Sequence, residues 1–104
     1  MKSQFVQYET IYLLKPDLDE DNLLKIMDQY QGILLERGAT NVLIENRGRR
    51  RLKYQIKRFR DSIYIQMNYN ATGDVVGLIE KSMKINEFIL RYLTISINQK
   101  ANSV

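Results

Sequence analysis

Apolar residues recur along this chain in two rhythms, and the switches between them mark its elements. From Phe5 to Leu14 (FVQYETIYLL) β-branched and aromatic residues dominate, and Pro16 disfavours helix at Lys15, which ends a first strand. Both of its faces are apolar, as in a central strand, so Glu9 is expected on the less buried face or beside an arginine such as Arg91. The acids of Pro16-Asp17-Leu18-Asp19-Glu20-Asp21 then mark a helix start, where carboxylates cap free N–H groups. Leu23, Met27, Tyr30 and Leu34, with Ile26 and Ile33 beside them, form one helical stripe that Arg37-Gly38 closes.

A second strand begins at Asn41–Glu45 and runs through Asn46-Arg47-Gly48 into a long polar continuation, with Gly48 at a bulge or bend. Asp61-Ser62 has turn chemistry, which predicts a hairpin back into Ile63–Tyr69, with Ile63, Ile65, Met67 and Tyr69 toward the core. Asn70–Asp74 reads as a loop in which Thr72 or Asp74 opens a second helix carrying Val75, Val76, Leu78, Ile79 and Met83. Gly77, costly inside a helix, predicts close packing on a neighbour. After Asn86-Glu87, Ile89–Ile97 is a fourth strand. It carries Ile89, Leu93, Ile95 and Ile97 on the face of Arg91, with Tyr92, Thr94 and Ser96 opposite.

The order β, α, β, β, α, β predicts an α+β, ferredoxin-like fold: a four-stranded antiparallel sheet, strands one and three central, with both helices on one face. Residues 1–98 would form this single domain and 99–104 a flexible polar tail. The uncovered face is open to a partner, and Tyr8, Tyr12, Tyr64 and Tyr92 are its candidate residues.

Charge changes the picture. Eight of the sixteen basic residues lie between Arg47 and Arg60 (RGRRRLKYQIKRFR), with no acid among them. The preceding 46 residues carry four basic and eight acidic groups, and residues 61–104 balance four against four. The net charge of +4 therefore hides a concentrated patch. In an extended strand Arg49, Arg51, Lys53 and Lys57 project one way and Arg50, Leu52, Tyr54 and Ile56 the other. A self-repelling row of cations calls for a polyanion, with Arg forks for phosphates and Tyr54 and Phe59 for stacking, which points to nucleic acid. The plainer alternative, lysines and arginines that guard a sheet edge, needs one or two charges rather than eight.

The chain has no cysteine and no histidine, which removes disulfides, thiolate chemistry, the usual neutral-pH base and the commonest metal ligand. No catalytic residue, cofactor or small-molecule substrate is therefore expected. The acids from Asp17 to Asp21 lack the glycine and spacing of a calcium loop, so no metal is expected either. No apolar run reaches membrane-spanning length and the N-terminus lacks a secretory signal, so a soluble protein that stays where it is made is expected, without membrane contact.

The residues resemble a known family, the sixth protein of the small ribosomal subunit of bacteria and plastids. The resemblance spans nearly the whole chain: Tyr8-Glu9-Thr10-Ile11-Tyr12-Leu13-Leu14 with Pro16-Asp17-Leu18, Gly38, Gly48-Arg49-Arg50-Arg51-Leu52 with Tyr54 and Ile56, then Ile85-Asn86 and Leu90-Arg91-Tyr92-Leu93. It implies an assembly protein of the bacterial cytoplasm or plastid stroma, without catalytic role. Such a protein binds ribosomal RNA of the central domain together with the eighteenth small-subunit protein. The contacts it implies are Arg49, Arg50 and Arg51, Tyr8 and Arg91; with the basic run they give a set of Tyr8, Arg47, Arg49, Arg50, Arg51, Lys53, Lys57, Arg58, Arg60 and Arg91. Arg47 stands where the family often has a large apolar residue, Lys53 where alanine is common and Gln55 where proline is common, so this strand is more charged than usual.

Three other readings share the fold. An RNA-recognition module would stack bases on central-strand aromatics, and Ile11-Tyr12-Leu13 resembles its first motif, but Arg60-Asp61-Ser62-Ile63-Tyr64-Ile65 fits its second poorly. An acylphosphatase-like hydrolase needs a phosphate cradle after strand one, where Lys15-Pro16-Asp17-Leu18 is acidic and glycine-free. A metabolite-sensing regulatory dimer also uses this fold, which by itself does not decide function.

Overall fold

The computed structural model describes residues 4–97, so the tail expected at 99–104 lies outside the described residues. Six elements follow in the expected order: β1 (Val6–Leu14), α1 (Glu20–Glu36), β2 (Thr40–Ile56), β3 (Phe59–Ala71), α2 (Gly73–Ile85) and β4 (Ile89–Ser96). The sheet order is β2-β3-β1-β4, with all three pairings antiparallel. The two-sided apolar pattern of β1 thus has its cause, since β1 pairs with β3 on one side and β4 on the other.

Helix α1 starts where its acids predicted. The Asp19 carboxylate accepts from the Asn22 N–H at 3.0 Å, and Glu20 and Asp21 occupy the first turn. It ends at Gly38, whose φ of +85° lets the Gly38 and Ala39 N–H groups return to the carbonyls of Leu35 and Leu34. Leu23, Ile26, Tyr30 and Leu34 of α1 and Val75, Ile79 and Met83 of α2 bury against Tyr12, Leu14, Ile65, Met67 and Tyr69 of the sheet. The Tyr30 hydroxyl accepts from Asn86 Nδ2 at 3.2 Å and Ser82 Oγ at 3.4 Å, which ties α1 to the C-terminal end of α2. Thr10, fully buried, shares hydrogen bonds with the Tyr69 hydroxyl at 2.8 Å and Thr94 Oγ1 at 2.7 Å, so one polar triad links β3, β1 and β4.

Several expectations are corrected. The hairpin turn is Lys57-Arg58, not Asp61-Ser62; Ile56 pairs with Phe59, and Asp61 and Ser62 lie inside β3 opposite Arg51 and Arg50. The expected loop at 70–74 shrinks, because β3 continues through Ala71 and Thr72 takes the N-cap position of α2, its hydroxyl donating to the Asp74 carboxylate rather than capping a backbone N–H. A Cβ at Gly77 would meet nothing within 4 Å, so close packing does not explain that glycine. Of the four tyrosines expected on the uncovered face, only Tyr64 is there. Tyr12 is fully buried, with its ring 5.4 Å from Tyr30; Tyr8 packs 5.9 Å from Tyr69; and Tyr92, opposite Tyr12, packs against the core. In β4 the register slips between Leu13 and Leu14, so Ile89 turns to the core, while Arg91, Leu93 and Ile95 face away from the helices.

Candidate nucleic-acid interface

The position of the basic residues follows from unequal strand lengths. Strand β1 ends at Leu14, opposite Ile63, while β2 and β3 continue past it to the turn at 57–58. From Arg50 to Ser62 the sheet is therefore a two-stranded arm that projects beyond the four-stranded body. Arg50, Arg51, Lys53, Lys57, Arg58 and Arg60 are all on this arm and all exposed, and Arg47 and Arg49 stand exposed at its root.

Gly48 decides which way the arm's arginines point. Asn46 pairs with Ile65 and Arg49 with Ile63, so Arg47 and Gly48 together oppose Tyr64, a one-residue bulge made by Gly48 at φ +87°. The Asn46 side chain holds it by accepting from the Gly48 N–H at 2.8 Å. An extra residue flips every side chain that follows. Arg49 and Arg51 consequently share the face of Ile63, and Arg50 turns to the uncovered face, its guanidinium 5.1 Å from the centre of the Tyr64 ring. Arg49 anchors the root: Nη2 donates to the Pro16 carbonyl at 3.1 Å, and Nη1 lies 4.0 Å from Asp61. Arg47 stands 3.6 Å from Glu45.

The expected alternation holds from Arg49 to Arg51 and then fails. Arg51 pairs with Asp61 and Ile56 with Phe59, so four residues, Leu52–Gln55, face Arg60 alone. Lys57 belongs to no strand face; it and Arg58 form the turn, with φ of +47° and +75°. Two positive φ values match the primed turn that right-handed hairpin twist requires, although neither residue is the usual Asn or Gly. Arg58→Gly should therefore raise stability by about 1 kcal/mol, read as a higher denaturant midpoint at unchanged slope. An unchanged or lower midpoint would contradict this strain.

The uncovered sheet face carries what the tyrosine pattern did not predict. Ile11, Leu13, Leu93 and Tyr64 line a shallow apolar depression, bounded by Arg91 and Tyr92. Leu93 is 60% exposed. The signal was present as Ile11 and Leu13 alternating with Tyr12 and Leu14, but with both sets apolar, spacing could not say which faced the helices. Arg91 opposes Leu13, four residues along β1 from Glu9, or roughly 13 Å, so the two do not pair. Tyr8 lies on the helix side, with its hydroxyl beside Gly73 at the start of α2. Of the acids from Asp17 to Asp21, Asp19 caps α1 and Glu20 and Asp21 lie in its first turn. Among the described residues no group of His, Cys, Asp or Glu is arranged to hold a metal, and no helix is long and apolar enough to cross a membrane.

Comparison with known proteins agrees with the fold. The family described as Ribosomal protein S6 matches residues 7–96. The chain is 57% identical over 90 residues to the small ribosomal subunit protein bS6c of Guillardia theta, covering 86% of this chain and 94% of that protein. It is 46% identical over 88 residues to bS6 of Trichormus variabilis, covering 85% and 82%. The solved structure of the 30S ribosomal protein S6 of Thermotoga maritima superimposes with a TM-score of 0.83 over 96% of this chain and 97% of that one, at 20% identity, and so shares its fold.

Proposed function

The chain belongs to the ribosomal protein S6 family, a structural and non-enzymatic component of the small ribosomal subunit, and from that premise we propose that it binds ribosomal RNA of the central domain jointly with the eighteenth small-subunit protein. The observation that carries the RNA half is the basic arm. Cations concentrated on a two-stranded projection, mostly free of carboxylate partners, gain affinity by displacing counterions from phosphates. The protein half rests on the uncovered face, where Ile11, Leu13 and Leu93 form an apolar strip edged by Arg91 and by Arg50 over Tyr64. The plastid-type relative at 57% identity favours the plastid stroma over a bacterial cytoplasm as its compartment.

Two surfaces on one rigid sheet couple their ligands, because a partner seated on the face completes the surface that RNA meets. The chain should co-sediment with small subunits at moderate salt and be released at high salt. The eighteenth protein should raise its affinity for the RNA about 5- to 150-fold, the range of ordinary coupling energies. Leu93→Glu, at an exposed position, should abolish that enhancement while leaving the fold and the binding of RNA alone unchanged. Equal RNA affinity with and without the eighteenth protein would refute the joint reading.

A further inference from the structure

The irregular stretch of the arm has no structural role that its surroundings explain. Leu52–Gln55 oppose Arg60 alone, so four residues cannot all keep regular ladder pairing with β3, at the edge of the sheet. Tyr54, at the crest of this bulge, is 73% exposed, an aromatic ring that buries little of its apolar surface. The bulge and Arg60 enclose an open depression of about 360 Å³ bordered by Arg51, Leu52, Lys53, Tyr54, Gln55 and Arg60. That volume is at the small end of ligand-sized clefts. Its border holds three cations and no carboxylate, and among the described residues none of those cations forms a salt bridge. The Lys53 ammonium stands 6.0 Å from the centre of the Tyr54 ring.

We propose that this bulge is a subsite for one unpaired ribonucleotide, whose base stacks on Tyr54 and whose flanking phosphates pair with Arg51, Lys53 and Arg60. The proposal rests on the RNA-binding reading above and adds the kind of RNA that the arm meets. An exposed ring offers a flat apolar face that any base can cover, and the cations that border the same depression can meet the phosphates that flank a stacked nucleotide. A base within a duplex is already stacked on its neighbours and cannot present that face, so the partner is a single-stranded loop, bulge or junction. A site of this kind separates two contributions: Tyr54 supplies affinity that does not depend on salt, and the cations supply affinity that does.

The test uses the full chain with three probes: small-subunit ribosomal RNA, a single-stranded oligoadenylate and an RNA duplex of equal length. Tyr54→Ala should weaken binding to the ribosomal RNA and the single strand by about 5- to 150-fold, with the salt slope unchanged and duplex binding unaffected. Tyr54→Phe should restore the affinity, and the exposed position should leave the thermal midpoint of every variant near that of the parent. Unchanged affinity of Tyr54→Ala would overturn the subsite, as would an equal loss on the duplex. So would a loss seen only with the eighteenth protein present, which would make Tyr54 a protein contact. If Arg49, Arg50 and Arg51 prove necessary for RNA binding and Tyr54 does not, the subsite alone fails. If the unaltered chain does not bind the ribosomal RNA, both readings fail.

Discussion

Replacing Arg49, Arg50 and Arg51 together by alanine should lower the affinity for small-subunit ribosomal RNA by roughly two to three orders of magnitude near 0.1 M salt. Each phosphate that no longer meets an arginine keeps about one counterion that binding would have released, so the slope of log affinity against log salt should fall by about three. The fold should survive, because all three side chains are exposed and ion pairs at such positions contribute little. The main cost to stability is the hydrogen bond from Arg49 to the Pro16 carbonyl, worth about 1 kcal/mol, with smaller losses from the exposed Arg49–Asp61 pair and the Arg50–Tyr64 contact. Filter binding across a salt series, with thermal melting beside it, reads both quantities. A parallel drop in affinity at every salt concentration, with the slope intact, would show that these arginines do not meet phosphates.

The largest effect on stability is expected at Tyr12. Its ring is fully buried at the centre of the sheet and tilted against Tyr30 of α1 at 5.4 Å, so Tyr12→Ala should cost about 3–5 kcal/mol and leave much of the protein unfolded. Tyr12→Phe should cost almost nothing, since the hydroxyl has no hydrogen-bond partner among the described residues. Burial, with a smaller contribution from Tyr30, also holds the Tyr12 phenol well above the ordinary tyrosine range. Tyr69 is raised in the same direction, chiefly by burial, although its hydrogen bond to Thr10 opposes the shift. For both groups the folded state resists losing the proton. Their stabilisation is therefore complete below the unfolded value near 10 and is lost as pH rises beyond it. Urea melts at increasing alkaline pH should show this decline, and Tyr12→Phe should make it shallower. A decline of equal steepness in Tyr12→Phe would mean that this phenol is not the group resisting ionisation.

How far the sequence alone determined this protein depends on which signals are local. The helix limits are local: Asp19 caps and Gly38 terminates wherever the rest of the chain lies, and both were legible. The crossover order and the central place of β1 were legible too, because a strand apolar on both faces needs two neighbours. So was the basic patch, since charge density survives any fold. Which face of β1 meets the helices was not legible. Ile11 and Leu13 are as apolar as Tyr12 and Leu14, and only packing against Tyr30 and the Thr10–Tyr69–Thr94 triad chooses between them. The turn was misleading for a related reason. Asp61-Ser62 has the residues a turn favours, but ladder pairing to Arg51 and Arg50 holds it extended, while Lys57-Arg58 bends without favourable chemistry. The bulge at Gly48 could be suspected from its glycine, yet its effect, Arg50 turned to one face and Arg49 to the other, exists only once β3 sets the register. The projecting arm is likewise a tertiary fact. Pro16 marks the end of β1, but nothing in RGRRRLKYQIKRFR says that its own hairpin runs on past Leu14, and it is that overhang which leaves the cations on an uncovered two-stranded ribbon, free to meet a partner.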